Sequence, residues 1–279
     1  MRINNNITAI NSHRQYGINN LNLGKNIEKL SSGFRVNRAA DDAAGLAISE
    51  KMRAQIRGLN MASKNSQDAV SLVQTAEGGM QTIQDILQRM RELAVQARSD
   101  TNHVQVDRDA LDKEIEELKS EINDIASSTQ FNKMNLLDGS VNSGQWVIQA
   151  GANPSQTMTI EIESVTSTSL NVDAITVKGA NSADAGTNAN NALTAIDSAI
   201  NTVSMQRAQL GAYQNRLEYK IQNLNNQSEN VSAAESRIRD ADMAKMMTEF
   251  TKNNILFQAS TAMLAQANAL PQGVLQLLG

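Results

Sequence analysis

The chain has 279 residues, a formal net charge of −4, no cysteine, two prolines, and one Trp, three Tyr and four Phe. The acidic balance argues against a nucleic-acid binder, and without cysteine there is neither a disulfide framework nor a thiolate metal site. So few aromatics exclude a core built on large rings; Leu, Ile, Val, Met and Ala must fill it, as they do in helix seams, and scarce proline removes the main helix breaker.

The opening MRINNNITAINSHRQ has no apolar h-region and no small-residue cleavage site. It is therefore not a secretory signal peptide, and any route out of the cell is expected to leave the N-terminus intact. Residues 3–34 carry two staggered apolar stripes, Ile3, Ile7, Ile10 and Leu23, Ile27, Leu30, Phe34. Their three-four spacing predicts a helix seam. A polar break follows at 31–45, where Gly33 and Gly45 are read as hinges or helix ends and Asp41-Asp42 as helix-start acids.

A long helix is predicted from about Ala47 to Ala97, with Met80, Ile83, Leu87, Met90 and Ala94 on one seam. Gly78-Gly79 marks a weak point within it, a site for a bend. Ser99 to Asn102 reads as a turn with capping residues. The third helix places Leu111, Ile115, Leu118, Ile122 and Ile125 on one face. Beside that seam, Glu114, Glu117, Glu121 and Asp124 form an acidic stripe, read as a solvated face.

The period then changes to two. Trp146–Ala150 and Thr157–Ile162 alternate as strands do, around a Gly-Ala-Asn-Pro turn, and predict a single hairpin at about 144–163. Residues 164–190 are rich in Ser, Thr, Asn and Ala and are expected to be an exposed loop with little core. From Leu193 the apolar series Ile196, Ile200, Val203, Leu210, Leu217, Ile221, Leu224, Val231 runs for more than three heptads. Only Arg207, Gln214 and Ser228 interrupt it, which predicts a long coiled-coil-like helix. A last helix, about 240–268, places Met243, Met246, Phe250, Phe257, Leu264 and Ala267 in register.

The two ends differ from the middle. Up to Arg38 the chain carries Arg2, Arg14, Lys25, Lys29, Arg35 and Arg38 against Glu28 alone, while from Asn253 to Gly279 there is no charged side chain. The amides Asn253, Asn254, Gln258, Gln266, Asn268, Gln272 and Gln276, with Ser260 and Pro271, are too costly for hydrocarbon, so no membrane insertion is expected. An isolated soluble helix normally carries charge on its outer face. A charge-free one suits burial among copies of itself, with amides lining a narrow wet lumen.

His13 and His103 stand apart from any ligand cluster, and there is no nucleophile elbow, P-loop or dinucleotide fingerprint. The chain is read as a non-enzyme with no cofactor. The fold class expected is mainly α: long helices in coiled-coil or bundle packing formed by both chain ends, with one small β-hairpin.

Several blocks carry a more specific signal: INNNITAINSHRQ at the start, LSSGFRVNRAADDAAGLAISEKMRAQIRGL at 30–59, LVQTAEGGM at 72–80 and LQRMRELAVQA at 87–97. TQFN at 129–132, NLLDG at 135–139 and the tail RIRDADMAKMMTEFTKNNILFQASTAMLAQANALPQGVLQLL at 237–278 continue it. In these the chain resembles bacterial flagellin along nearly all its length. The resemblance implies a terminal coiled-coil domain, 1–44 with 236–279, lining the core of a filament. It implies a helical rod domain, 45–163 with 188–235, and here only a short exposed loop, 164–187, in place of large outer domains. It also implies export, unfolded and uncleaved, to an extracellular flagellum. The partners it implies are other copies of the chain, an export chaperone and export gate, the filament cap and the hook–filament junction proteins. Filament packing would fall to Ile3, Ile7, Ile10, Leu23, Ile27, Leu30, Phe34, Met243, Met246, Phe250, Phe257 and Leu264. The family's epitope for a host Toll-like receptor matches Arg89, Leu93 and Glu114. The competing readings are a hook–filament junction-type protein and a secreted coiled-coil translocator.

Overall fold

A computed structural model describes residues 6–99, 106–141, 144–179 and 182–278. Among them are five helices: α1 (Ile7–Ser32), α2 (Ala43–Arg98), α3 (Asp107–Ser128), α4 (Ser182–Arg239) and α5 (Met243–Leu278). Four short strands accompany them: β1 (Gln130–Phe131), β2 (Met134–Asn135), β3 (Gln145–Gln149) and β4 (Thr157–Glu161). The chain forms two compact units, Met1–Ile56 with Glu229–Gly279, and Arg57–Ser228.

The helix ends follow capping chemistry. The Asn6 side chain accepts from Ala9 N–H at the start of α1, and Gly33 closes the helix in the left-handed region at φ 72°, donating to Lys29 O. Glycine, with no Cβ, adopts that conformation at no steric cost. Asp42 accepts from Gly45 N–H at 2.8 Å in the first turn of α2, and Asp242 accepts from Ala244 and Lys245 at the start of α5. Each carboxylate satisfies amides that the first helical turn leaves unpaired and sits at the positive end of the helix dipole.

In the unit Arg57–Ser228 the predicted seam of α2 is fully buried: Met80, Ile83, Leu87, Met90 and Ala94 are all at 0% exposure. Facing it are Ile115 and Ile122 of α3, Ile196, Val203, Leu210 and Leu217 of α4, and Trp146 and Ile160 of the hairpin. Each such Leu or Ile contributes roughly 1.5–3 kcal/mol by leaving water. Two residues that break the α4 seam act as polar cross-links. Arg207 donates to Gln84 at 2.7 Å and Gln81 at 3.1 Å on α2, and Ser228 donates to Asn60 at 2.8 Å.

Strands β3 and β4 pair antiparallel with Trp146 opposite Ile160, as the alternation predicts. A second, two-residue ladder, Gln130↔Asn135 and Phe131↔Met134, joins the single expected hairpin. Its turn residues Asn132 and Lys133 both have positive φ, which is how two residues reverse the chain.

Helix α2 runs from Ala43 through Gly78-Gly79 to Arg98. A Cβ on Gly79 would lie 2.8 Å from both Leu137 Cδ1 and Thr129 Oγ1, so the glycine admits the β-turn region against the helix. Segment 164–187 is not an exposed loop. Val165, Leu170, Val172 and Val177 are buried in the main core, and α4 already begins at Ser182. The last helix extends past 268 and through Pro271 to Leu278. Of the turn predicted at Ser99–Asn102, all but Ser99 lies outside the described residues.

Segment 164–178 stays in place because α3 supplies its polar partners. Asp112 Oδ1 accepts from Val177 N–H at 2.9 Å and from the Thr176 hydroxyl at 2.7 Å. Lys119 Nζ donates to the carbonyls of Asp173 and Ile175 at 2.9 and 2.6 Å. Asn123 Oδ1 accepts from Ser167 N–H at 2.9 Å. Residues 112, 119 and 123 lie at i, i+7 and i+11, one face of a helix.

Candidate assembly surface

The first and last helices pair within the unit Met1–Ile56 with Glu229–Gly279. Asn6 Nδ2 donates to Ala267 O at 2.7 Å, and Asn19 Nδ2 donates to Ser260 Oγ at 2.6 Å and Leu256 O at 3.3 Å. As the number on α1 rises, the partner on α5 falls, so the two helices are antiparallel. Their joined end is closed by a Phe34–Asp240 bridge, with Arg35 N–H bonded to Arg239 O and Ala241 N–H to Gly33 O. The Arg239 guanidinium stacks over the Phe34 ring at 4.8 Å and pairs with Glu50 at 2.6 Å.

Polar side chains are buried inside this pair, and several large apolar ones are exposed outside it. Asn19 is 6% exposed, Ser260 2% and Ala267 5%, and Asn26 is buried as well. Tyr16 and Phe257 meet there with ring centroids 5.1 Å apart. On the outside, Ile10 is 62% exposed, Leu21 69%, Ile255 61% and Met263 55%.

The sequence-predicted residues divide accordingly. Ile7, Ile10, Ile27 and Met243 are exposed, whereas Leu23, Leu30, Phe34, Met246, Phe250, Phe257 and Leu264 are half-buried, and Ile3 lies outside the described residues. Sequence reasoning missed Ile18, Leu21, Met247, Ile255, Leu256, Met263 and Leu270, all exposed. They fall between the three-four stripes, so a search for one seam passes over them. The usable signal was apolar residues around the whole circumference of α5, the pattern of a helix covered on all sides. No described helix is long and apolar enough to cross a membrane.

Two arginines of the basic N-terminal segment find partners nearby. Arg38 pairs with Glu28 at 2.9 Å, and the Arg35 guanidinium donates to Ile238 O near the C-terminal, negative end of α4.

On the unit Arg57–Ser228, Arg89 bonds Glu114 at 2.9 Å and Glu92 at 3.0 Å, and all three are surface groups. The Glu114 carboxylate, then that of Glu92, raises the guanidinium pKa. Leu93 is not on that surface: it is 1% exposed. Its side chain packs in the buried core with Met90 and Ala94, which removes it as a free surface contact.

Residues 3–142 match the bacterial flagellin N-terminal helical region, and residues 193–278 match the bacterial flagellin C-terminal helical region. A flagellin of Halalkalibacterium halodurans is 56% identical over 279 residues, covering the whole of both chains. A flagellar filament 31.3 kDa core protein of Treponema maltophilum is 48% identical over 287 residues, again covering both chains completely. Among solved structures, the crystal structure of Bacillus cereus flagellin shares 36% identity with a TM-score of 0.50, over 62% of this chain and 94% of that one. The matched terminal regions contain the helices whose outer faces are apolar, and the chain belongs to the bacterial flagellin family.

Proposed function

We propose that this chain is the structural subunit of a bacterial flagellar filament and polymerises through the apolar outer faces of α1 and α5. One observation carries the reading: the pair buries Asn19, Asn26 and Ser260 and leaves Ile10, Leu21, Ile255 and Met263 exposed outside. Two helices alone cannot cover those side chains. Copies arranged around an axis can, and each covered side chain gains roughly 1.5–3 kcal/mol. That gain offsets the chain entropy lost when the ends become ordered. A contact repeated head to tail without closing generates a helix of indefinite length. In this arrangement 1–44 with 236–279 line the filament core, and 45–163 with 188–235 form the helical rod domain. The twelve packing residues, Ile3 to Leu264, contribute to this inner wall, joined by the exposed residues between their stripes.

Family membership supports the remaining partners: an export chaperone and export gate on the way out of the cell, and the cap and hook–filament junction proteins at the filament's two ends. The role is structural, not catalytic, and the product is secreted. The junction-type and translocator alternatives gain no support, since both matched family regions are those of flagellin itself. Electron microscopy of the purified, concentrated chain tests the proposal. Long filaments are expected; a monomer at every concentration would overturn it.

Recognition by a host Toll-like receptor rests on Arg89 and Glu114, with Leu93 supporting the patch from beneath. Arg89→Ala is expected to lower signalling in a receptor reporter cell while leaving the thermal melt unchanged. Undiminished signalling from the folded variant rules the patch out.

A further inference from the structure

The antiparallel pair of α1 and α5 poses a register problem. Apolar side chains usually fix how two helices align, because slipping exposes them. Here Ile10, Leu21, Ile255 and Met263 face outward, and Leu23, Leu30, Phe250, Phe257 and Leu264 are only half-buried, so apolar burial within the pair fixes its alignment weakly. Something polar must set the alignment.

The lone proline of α5 supplies it. An α-helical carbonyl accepts from the N–H four residues on, and Pro271 has no N–H. The carbonyl of Ala267 is therefore left without its helical donor. Ala267 is 5% exposed, so water is a poor substitute. The acceptor is instead taken by Asn6, whose Nδ2 lies 2.7 Å away. The same amide turns its oxygen the other way, accepting from Ala9 N–H at 3.1 Å and from the Thr8 hydroxyl at 2.6 Å. One side chain thus caps the start of α1 and fills the gap in α5.

We infer that Pro271 and Asn6 form a register lock for the filament-forming pair. The proline creates a single orphaned carbonyl at one height on α5, and Asn6 is the donor that recognises it. A slip of one turn would leave that buried acceptor unpaired and present Asn6 with carbonyls already bonded. Asn19 forms a second rung with Ser260, which makes slippage cost two polar contacts at once. Asn6 is a positioning residue: it acts on assembly by aligning the outer apolar faces, without being part of them. This inference rests on the proposed polymerisation through those faces.

A double-mutant cycle on the full-length chain tests it. The readout is the critical concentration for seeded polymerisation, measured by sedimentation. Asn6→Ser keeps a helix-capping side chain but loses the reach to Ala267. It is expected to raise the critical concentration about tenfold, since a buried acceptor loses its partner. Pro271→Ala restores the backbone donor to Ala267. In that background Asn6→Ser is expected to change the critical concentration less than about threefold. An equal effect in both backgrounds, or none in either, overturns the lock. Failure of the unaltered chain to form filaments would instead overturn the proposed function, so the two results are distinguishable. A circular-dichroism melt of each variant separates assembly from folding.

Discussion

Gly78 and Gly79 are neighbours in α2 with opposite surroundings. Nothing lies within 4 Å of a Cβ on Gly78, whereas a Cβ on Gly79 collides with Leu137 and Thr129. Gly78→Ala should therefore stabilise the unit by about 0.5–1 kcal/mol through helix propensity. Gly79→Ala should cost about 1–3 kcal/mol through overpacking. Chemical denaturation of both variants checks the pair of signs. Asp112 gives a second test. It is 3% exposed. Burial pushes its carboxyl pKa upward, but the bonds from Val177 N–H, Thr176 and Lys178 outweigh that and hold it below the ordinary carboxylate value. A lowered folded pKa stabilises above the unfolded value and is lost as pH falls through the folded one. Unfolding driven by this group should therefore begin only below about pH 4. Asp112→Ala leaves Val177 N–H without its acceptor and should cost about 1–3 kcal/mol, while Asp112→Asn, which still accepts, should cost less. Thermal melts on either side of pH 4 decide both points.

At the scale of elements, the regular seams were legible and the stapled segment was not. Met80, Ile83, Leu87, Met90 and Ala94 repeat at helical spacing, and all are fully buried. Leu217 belongs to the equivalent run in α4 and is also fully buried. Leu217→Asp puts an unpaired carboxylate into that core. It should cost more than about 4 kcal/mol and abolish the cooperative melt. A melt near the unaltered temperature would show that the seam does not carry the unit. Segment 164–178 gave no such signal because Val165, Leu170, Val172 and Val177 have no common period. Its retention depends on Asp112, Lys119 and Asn123, polar residues that alone suggest a solvated helix face. The assembly surface was half legible for a related reason: stripes were visible, but apolar residues between the stripes were not assigned to any face. Its polar interior was hidden altogether, since Asn19 and Asn26 look like exterior residues in sequence.

For the whole molecule, the two compact units predict separable behaviour. The unit Arg57–Ser228 contains the main hydrophobic core, whereas α1 and α5 expose Ile10, Leu21, Ile255 and Met263 on the faces proposed to pack against other copies. Deleting 253–279 should leave a soluble monomer that retains the helicity and melting transition of the central unit. It should abolish filaments in vitro and motility in cells. Sedimentation together with circular dichroism reports both halves, and filaments of normal length from the truncated chain would refute the role given to α5. The charge-free stretch of that helix has a further consequence. Beyond Lys252 there is no ionic side chain for dissolved salt to screen. Its contribution to a polymer therefore does not fade as ionic strength rises, and strongly hydrated ions such as sulfate enhance it. The inner wall proposed above would therefore hold alike in fresh and in saline water, which suits a propeller whose surroundings its owner does not control.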